Sequence, residues 1–165
     1  MTDKFPENIN ILTVCTGNIC RSPMAEGILK KAFENNQRAK ISSAGTHALT
    51  GNPASEFAVI SAKENGIDIS GHTARGLNVE IIKGNGIILC METSHIEYVL
   101  SLAPELYKRV FNLADFSESS RRIKEIPDPY GCSLREYREC FKEIETCITN
   151  FIESEHIRCR LITTY

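Results

Sequence analysis

Tryptophan is missing from these 165 residues, no two cysteines form a C-x-x-C pair and no two histidines an H-x-x-x-H pair. Without those spacings a zinc site is not expected, and His47, His72, His95 and His156 read mostly as structural or surface groups. No apolar run approaches the roughly 20 residues of a membrane span. Residues 1–7, M-T-D-K-F-P-E, carry no apolar core of the signal-peptide kind. A formal net charge of −2 provides no positive surplus for nucleic acid or an anionic membrane. Internal repeats, linkers and low-complexity segments are also lacking. What remains is the expectation of one soluble, cytoplasmic domain over 1–165, with 42% hydrophobic residues for a core of ordinary size and no cofactor.

What is present begins with a short β-branched apolar run, Ile9 to Val14, that reads as a buried strand. Ser22 has an N-cap side chain, Pro23 suits a first helical turn, and Met24 to Lys31 continue as good helix formers. Between strand and helix lies C-T-G-N-I-C-R, from Cys15 to Arg21. Backbone N–H groups at a helix start have no intrahelical partner and the helix dipole adds positive potential, so an anion is favoured in such a bowl. Gly17 permits the tight curvature, and Arg21 can fork onto two phosphoryl oxygens. The same positive field favours the thiolate of Cys15, the nucleophilic form.

C-x5-R alone is a weak motif, and the chain contains it twice. Cys132 and Arg138 repeat the spacing, but within a charged amphipathic helical stretch, with no strand before it and no glycine inside it. At Cys15 the strand, glycine, cap residue and helix all agree.

The rest of the chain alternates. Strands are expected at 39–43, 86–91 and 109–113, and helices at 54–65, 93–102 and 133–153, with Cys140 and Cys147 on one buried face of the last. Such alternation argues an α/β fold of three layers: a short, about four-stranded, parallel twisted sheet with helices on both faces and the phosphate-binding loop between strand 1 and helix 1. Active sites in such sheets lie at the carboxyl ends of the strands, where Cys15 falls.

C-T-G-N-I-C-R-S-P-M-A-E at 15–26 resembles the signature of the low-molecular-weight protein tyrosine phosphatases. So do S-S-A-G-T at 42–46, G-N-P-A at 51–54, G-H-T-A-R at 71–75, I-L-C-M-E at 88–92 and I-P-D-P-Y at 126–130. They follow the family's order and cover all but the last ten or so residues.

The resemblance implies a phosphatase with Cys15 as a nucleophile that forms a phosphocysteine. Thr16, Gly17, Asn18, Ile19 and Cys20 then supply loop amides, with Arg21 as clamp. Ser22 stabilises the thiolate, and Asn18, Ser43 and His72 hold the loop in its strained shape. Asp128 is the implied general acid. The chemistry asks for one, because a phosphate monoester has a poor leaving group and water must later be activated. Read alone, D-P-Y is an ordinary turn; Pro127 and Pro129 would stiffen it. The family also implies a reversible disulfide between Cys20 and Cys15.

Substrate choice rests on the rim. Ile19 offers an apolar wall for an aromatic ring and Tyr130 could stack on it, whereas related arginine phosphatases typically have threonine at the Ile19 position. Thioredoxin-coupled arsenate reductases share the loop but need two further cysteines after the third strand, and 91–97 holds none. A silent phosphopeptide-binding module is the alternative from another class; it is expected to lack the nucleophile or the acid, and both are present. The tryptophan-free loop T-H-A-L-T-G-N-P-A resembles the bacterial subgroup acting on tyrosine-rich tails of autokinases of polysaccharide export, with Leu49 in place of an aromatic wall. The expected partner is a phosphotyrosine protein, the expected state a monomer or weak dimer, and the tail at 156–165 matches nothing in the family.

Overall fold

The computed structural model describes residues 9–154; Cys159 and the 156–165 tail lie outside them. Four strands, β1 (Ile9–Cys15), β2 (Ala39–Gly45), β3 (Ile87–Cys90) and β4 (Val110–Asn112), form one parallel sheet in the order β2-β1-β3-β4. The helices are α1 (Arg21–Ala32), α2 (Glu56–Glu64), α3 (Val79–Lys83), α4 (Thr93–Leu102) and α5 (Leu134–Glu153).

The sheet's two faces explain the near-continuous apolar runs of its central strands. Alternate residues of a strand point to opposite faces, so a strand covered on both sides has no solvent face to make polar, and the buried Thr13 of β1 is satisfied by donating to the Ser22 carbonyl at 2.9 Å. Ile9 and Ile11 of β1 and Leu89 of β3 join one core with α1, α2 and α5. Leu12 and Val14 of β1 and Ile88 and Cys90 of β3 join a second core with Ile82 of α3 and Val99 of α4. The expected three-layer α/β architecture is the one observed.

Element bounds differ in instructive ways. Helix α1 begins at Arg21, with Cys20 in the cap position and no side-chain cap bond, so Ser22 does not cap it. The Ser22 hydroxyl is drawn instead toward Cys15 and Asn18. The helix expected from residue 54 starts at Glu56, because Ala54 and Ser55 remain in the loop and the Ser55 N–H donates to the Ile19 carbonyl. Helix α3 was not expected: five residues are too short to show a periodicity, though Asn78 caps it through Ile81 N–H at 2.8 Å. Cys132 lies in the turn before α5, whose cap is Ser133 bonded to Glu136, while Arg138 pairs with Glu64. The decoy's two residues are therefore parted by a helix boundary.

The sheet sets β1 and β2 in register from Ile9↔Ala39 to Cys15↔Gly45, which brings Gly45 against the start of the loop. A Cβ on Gly45 would stand 2.5 Å from the Thr16 carbonyl oxygen and 3.1 Å from Ala48. Both neighbours include backbone, which cannot yield as a side chain does. Gly45→Ala should therefore destabilise the protein by about 1–3 kcal/mol, read as a lower urea midpoint with the slope unchanged.

Candidate active site

The loop from Cys15 to Cys20 is shaped by where its carbonyl groups go. The Cys15, Thr16 and Gly17 carbonyls accept from the N–H groups of Thr46, His47 and Leu49, each at 3.0 Å. The Asn18 carbonyl accepts from His72 Nε2 at 2.7 Å, Ile19 from Ser55 N–H at 2.8 Å and Cys20 from Met24 N–H at 3.3 Å. Every carbonyl of the loop is thus fastened outward, which leaves the amides to turn the other way. Among the described residues, the N–H groups of Gly17, Ile19 and Cys20 donate to no protein acceptor. Convergent unpaired amides at a helix start form an anion cradle.

Asn18 is the residue that allows this turn. It adopts φ 56°, the single non-glycine in the left-handed region among the described residues, where asparagine is tolerated better than most. Its side chain is consumed by the network: Oδ1 accepts from Arg75 N–H at 2.9 Å, and Nδ2 donates to Ser22 Oγ at 2.8 Å and Ser43 Oγ at 2.9 Å. Ser43 in turn donates to Glu26 Oε2 at 2.5 Å. Because Ser22 Oγ already accepts from Asn18, its own hydrogen is available to Cys15 Sγ at 2.9 Å. Asn18 N–H reaches the same sulfur at 3.3 Å. Two donors therefore point at one sulfur.

The other described cysteines are held away from thiolate. Burial pushes the Cys90, Cys140 and Cys147 thiols up, the latter two to about 12. Burial raises Cys20 too, against the pull of its hydrogen bonds to Ser55 at 3.3 Å and Tyr137 at 3.2 Å. The expected one-faced burial of Cys140 and Cys147 is observed.

Arg21 is only 1% exposed. Burial alone would lower its pKa, but the hydrogen bond and charge of Glu92, with Asp128 and Cys15, drive it up and keep it cationic. Nη1 donates to Glu92 Oε1 and to the Ile126 carbonyl at 2.9 Å; Nη2 meets Asp128 Oδ2 at 3.1 Å. Asp128 also accepts from Tyr130 N–H at 3.2 Å, closing the turn expected of D-P-Y.

A cavity of about 270 Å³ gathers Cys15, Thr16, Gly17, Ile19, Cys20 and Arg21 from the loop with His47, Leu49, Asp128 and Tyr130 from its rim. Asn18, Ser22, Ser43 and His72 stand behind it. A larger groove, about 620 Å³, lies on the far side of Asp128 along α5, but Glu118, Glu136, Glu139 and Glu143 line it against Lys142, the one cation among its described lining residues, so its field repels a dianion. Sequence reasoning missed Glu26, Arg75, Glu92 and His95. For Glu92 and His95 the available signal was a carboxylate three residues before a histidine at the start of α4, a spacing that places the two side by side.

A family model described as low molecular weight phosphotyrosine protein phosphatase matches residues 10–159. The low molecular weight protein-tyrosine-phosphatase Etp of Escherichia coli K12 is 38% identical over 136 residues, 82% of this chain and 87% of Etp. The structure of Vibrio vulnificus Wzb in complex with benzylphosphonate superposes with a TM-score of 0.78 at 33% identity, covering 88% of this chain and 98% of that one. A structure of the YwlE arginine phosphatase superposes with a TM-score of 0.79 at 26% identity, covering 90% of this chain and 99% of that one.

Burial works to raise the Glu92 carboxyl, yet the hydrogen bond and charge of Arg21 overrule it and hold the group below its ordinary 4.5. A depressed folded-state value contributes stability that is present above the unfolded value and is lost as pH falls through the folded one. Urea unfolding between about pH 6 and pH 3 should show wild-type stability declining below the ordinary carboxylate value, with a shallower decline in Glu92→Gln. Parallel curves would remove Glu92 from the acid response.

Proposed function

The chain belongs to the low molecular weight phosphotyrosine protein phosphatase family, a family of cysteine-dependent hydrolases, and from that membership we propose that it hydrolyses phosphotyrosine in proteins through a phosphocysteine on Cys15. The observation that carries this reading is the loop whose six carbonyls are all taken by donors while the N–H groups of Gly17, Ile19 and Cys20 meet no protein acceptor among the described residues, in one cavity with Cys15, Arg21 and Asp128.

In the first step the Cys15 thiolate attacks phosphorus, the P–O bond to the phenol breaks, and Asp128 gives its proton to the departing oxygen. Asp128 Oδ2 lies 3.1 Å from Arg21 Nη2, so an incoming phosphoryl dianion competes with it for the guanidinium. In the second step the Asp128 carboxylate takes a proton from water as the water attacks phosphorus. The S–P bond breaks, inorganic phosphate leaves and the thiolate returns. The loop amides and Arg21 stabilise the equatorial oxygens in both steps. Ser22 holds the thiolate while Asn18, Ser43 and His72 keep the loop in shape.

Ile19, Leu49 and Tyr130 give the mouth an apolar lining that suits a phenyl ring. The side chains of Ile19 and Leu49 offer the guanidinium of a phosphoarginine no acceptor, whereas a phenyl ring needs none, so phosphotyrosine is favoured over phosphoarginine. The bacterial relatives Etp and Wzb support a substrate among bacterial tyrosine-phosphorylated proteins, and the resemblance to the polysaccharide-export subgroup extends this to the tyrosine-rich tail of an autokinase. No helix among the described residues is long and apolar enough to cross a membrane, and we place the enzyme in the cytoplasm. Cys15 and Cys20 are both free and line one cavity, which supports their proposed reversible disulfide.

Cys15→Ser should abolish turnover of para-nitrophenyl phosphate. Asp128→Asn should slow it by roughly 10²- to 10⁴-fold, most for poor leaving groups. A Cys15→Ser variant that still turned over would end the proposed mechanism. Matched phosphotyrosine and phosphoarginine peptides test the substrate: phosphotyrosine should be preferred, and Ile19→Thr should narrow the preference.

A further inference from the structure

His95 stands on the first turn of α4, 2% exposed, with both ring nitrogens engaged. Nδ1 accepts from the Glu92 backbone N–H at 3.1 Å, and a nitrogen that accepts carries no hydrogen. In the neutral ring the hydrogen must then sit on Nε2. Burial favours the neutral ring, lowering the His95 pKa, and Arg21 acts in the same direction against the pull of Glu92. Nε2 lies 2.9 Å from Thr16 Oγ1, so the imidazole donates and the hydroxyl accepts.

That makes the Thr16 hydroxyl the acceptor of this bond. Its oxygen is taken by His95, its own hydrogen meets no acceptor among the described residues, and Thr16 lines the cavity with Cys15, Arg21 and Asp128. A hydroxyl already accepting a hydrogen bond is a better donor, because the bonds polarise one another. A free donor on a residue that lines a cavity with Cys15 and Arg21 has one obvious recipient there, an oxygen of the phosphoryl group.

We propose that Thr16 binds substrate through its side chain as well as its backbone, its hydroxyl donating to a phosphoryl oxygen, and that His95 is the positioning residue that aims it. The inference rests on the phosphatase reading above but concerns two groups that reading does not use. The hydroxyl adds a neutral donor to the cradle, and the imidazole carries the orienting information from α4 on one side of the sheet to the loop at the end of β1.

The test is a double-mutant cycle read in kcat/KM for para-nitrophenyl phosphate and in affinity for inorganic phosphate by calorimetry. Loss of a hydrogen bond to a charged group predicts that Thr16→Val lowers kcat/KM by roughly tenfold to a hundredfold. Phosphate affinity should fall in parallel. Thr16→Ser, which keeps the hydroxyl, should stay near wild type. His95→Leu should lose as much as Thr16→Val, the double variant no more than either, and His95→Gln, whose amide can replace the Nε2 donor, should recover most of the loss. If His95→Leu does not fold, the nitrogen chemical shifts of the wild-type imidazole decide: hydrogen on Nε2 supports the orientation and hydrogen on Nδ1 overturns it. Thr16→Val with unchanged phosphate affinity, or additive losses in the cycle, would also overturn it. Were wild type to bind phosphate but hydrolyse nothing, the phosphatase reading would fail, and the phosphate affinities would still judge Thr16 and His95.

Discussion

Six carbonyl bonds decide what this protein is. A peptide loop can turn its N–H groups toward a common centre only if its C=O groups find acceptor duty elsewhere, and here each carbonyl from Cys15 to Cys20 is taken by a donor outside the bowl. The donors come from the 46–55 loop, from His72 and from the first turns of α1. The fold therefore wraps two further segments around the β1–α1 junction to hold one short loop. Gly45 belongs to the same constraint, since a side chain there would strike the Thr16 carbonyl.

Charge is arranged by the same logic. Arg21 is nearly inaccessible, and a buried guanidinium persists only when its hydrogens and its charge are answered. Glu92 and the Ile126 carbonyl answer it from below and Asp128 from the rim. Glu92 is the more enclosed of the two carboxylates, with 27% of its side chain exposed against 45% for Asp128. On the other side of the bowl the chain Glu26, Ser43, Asn18, Ser22, Cys15 orients each hydrogen in turn and ends on the sulfur. Mechanism and scaffold are continuous at this point, because the residues that keep Asn18 at φ 56° are also those that set the direction of the Ser22 hydroxyl.

The β1–loop–α1 unit was legible in the sequence because its signals are local: a β-branched run, a glycine, a cap-type residue and a helix-forming stretch within about twenty positions. Ser22 shows the limit of that reasoning. Its type and place predict a helix cap, yet its hydroxyl serves the sulfur, because an orienting amide from Asn18 outcompetes a helix N–H. Asp128 could be placed in the site only through resemblance, since the 112 residues between it and Cys15 in the chain carry no local sign that they will meet. His95 and Glu92 were not legible for the same reason; each acts across the sheet on a residue more than 70 positions away, Thr16 and Arg21 respectively. The alternation of Ile87 to Cys90 between two cores was hidden too, because a strand covered on both faces has no polar beat to count.

The central claim is that this cradle exists to let the Cys15 sulfur take a phosphoryl group. Rapid acid quench during turnover of an aryl phosphate, followed by mass analysis of the peptide that contains Cys15, tests it most directly. One phosphoryl group should be found on Cys15, accumulating when Asp128 is replaced and the aryl leaving group is a good one. Turnover with no phosphoryl group on Cys15, or with the group on another residue, would contradict it.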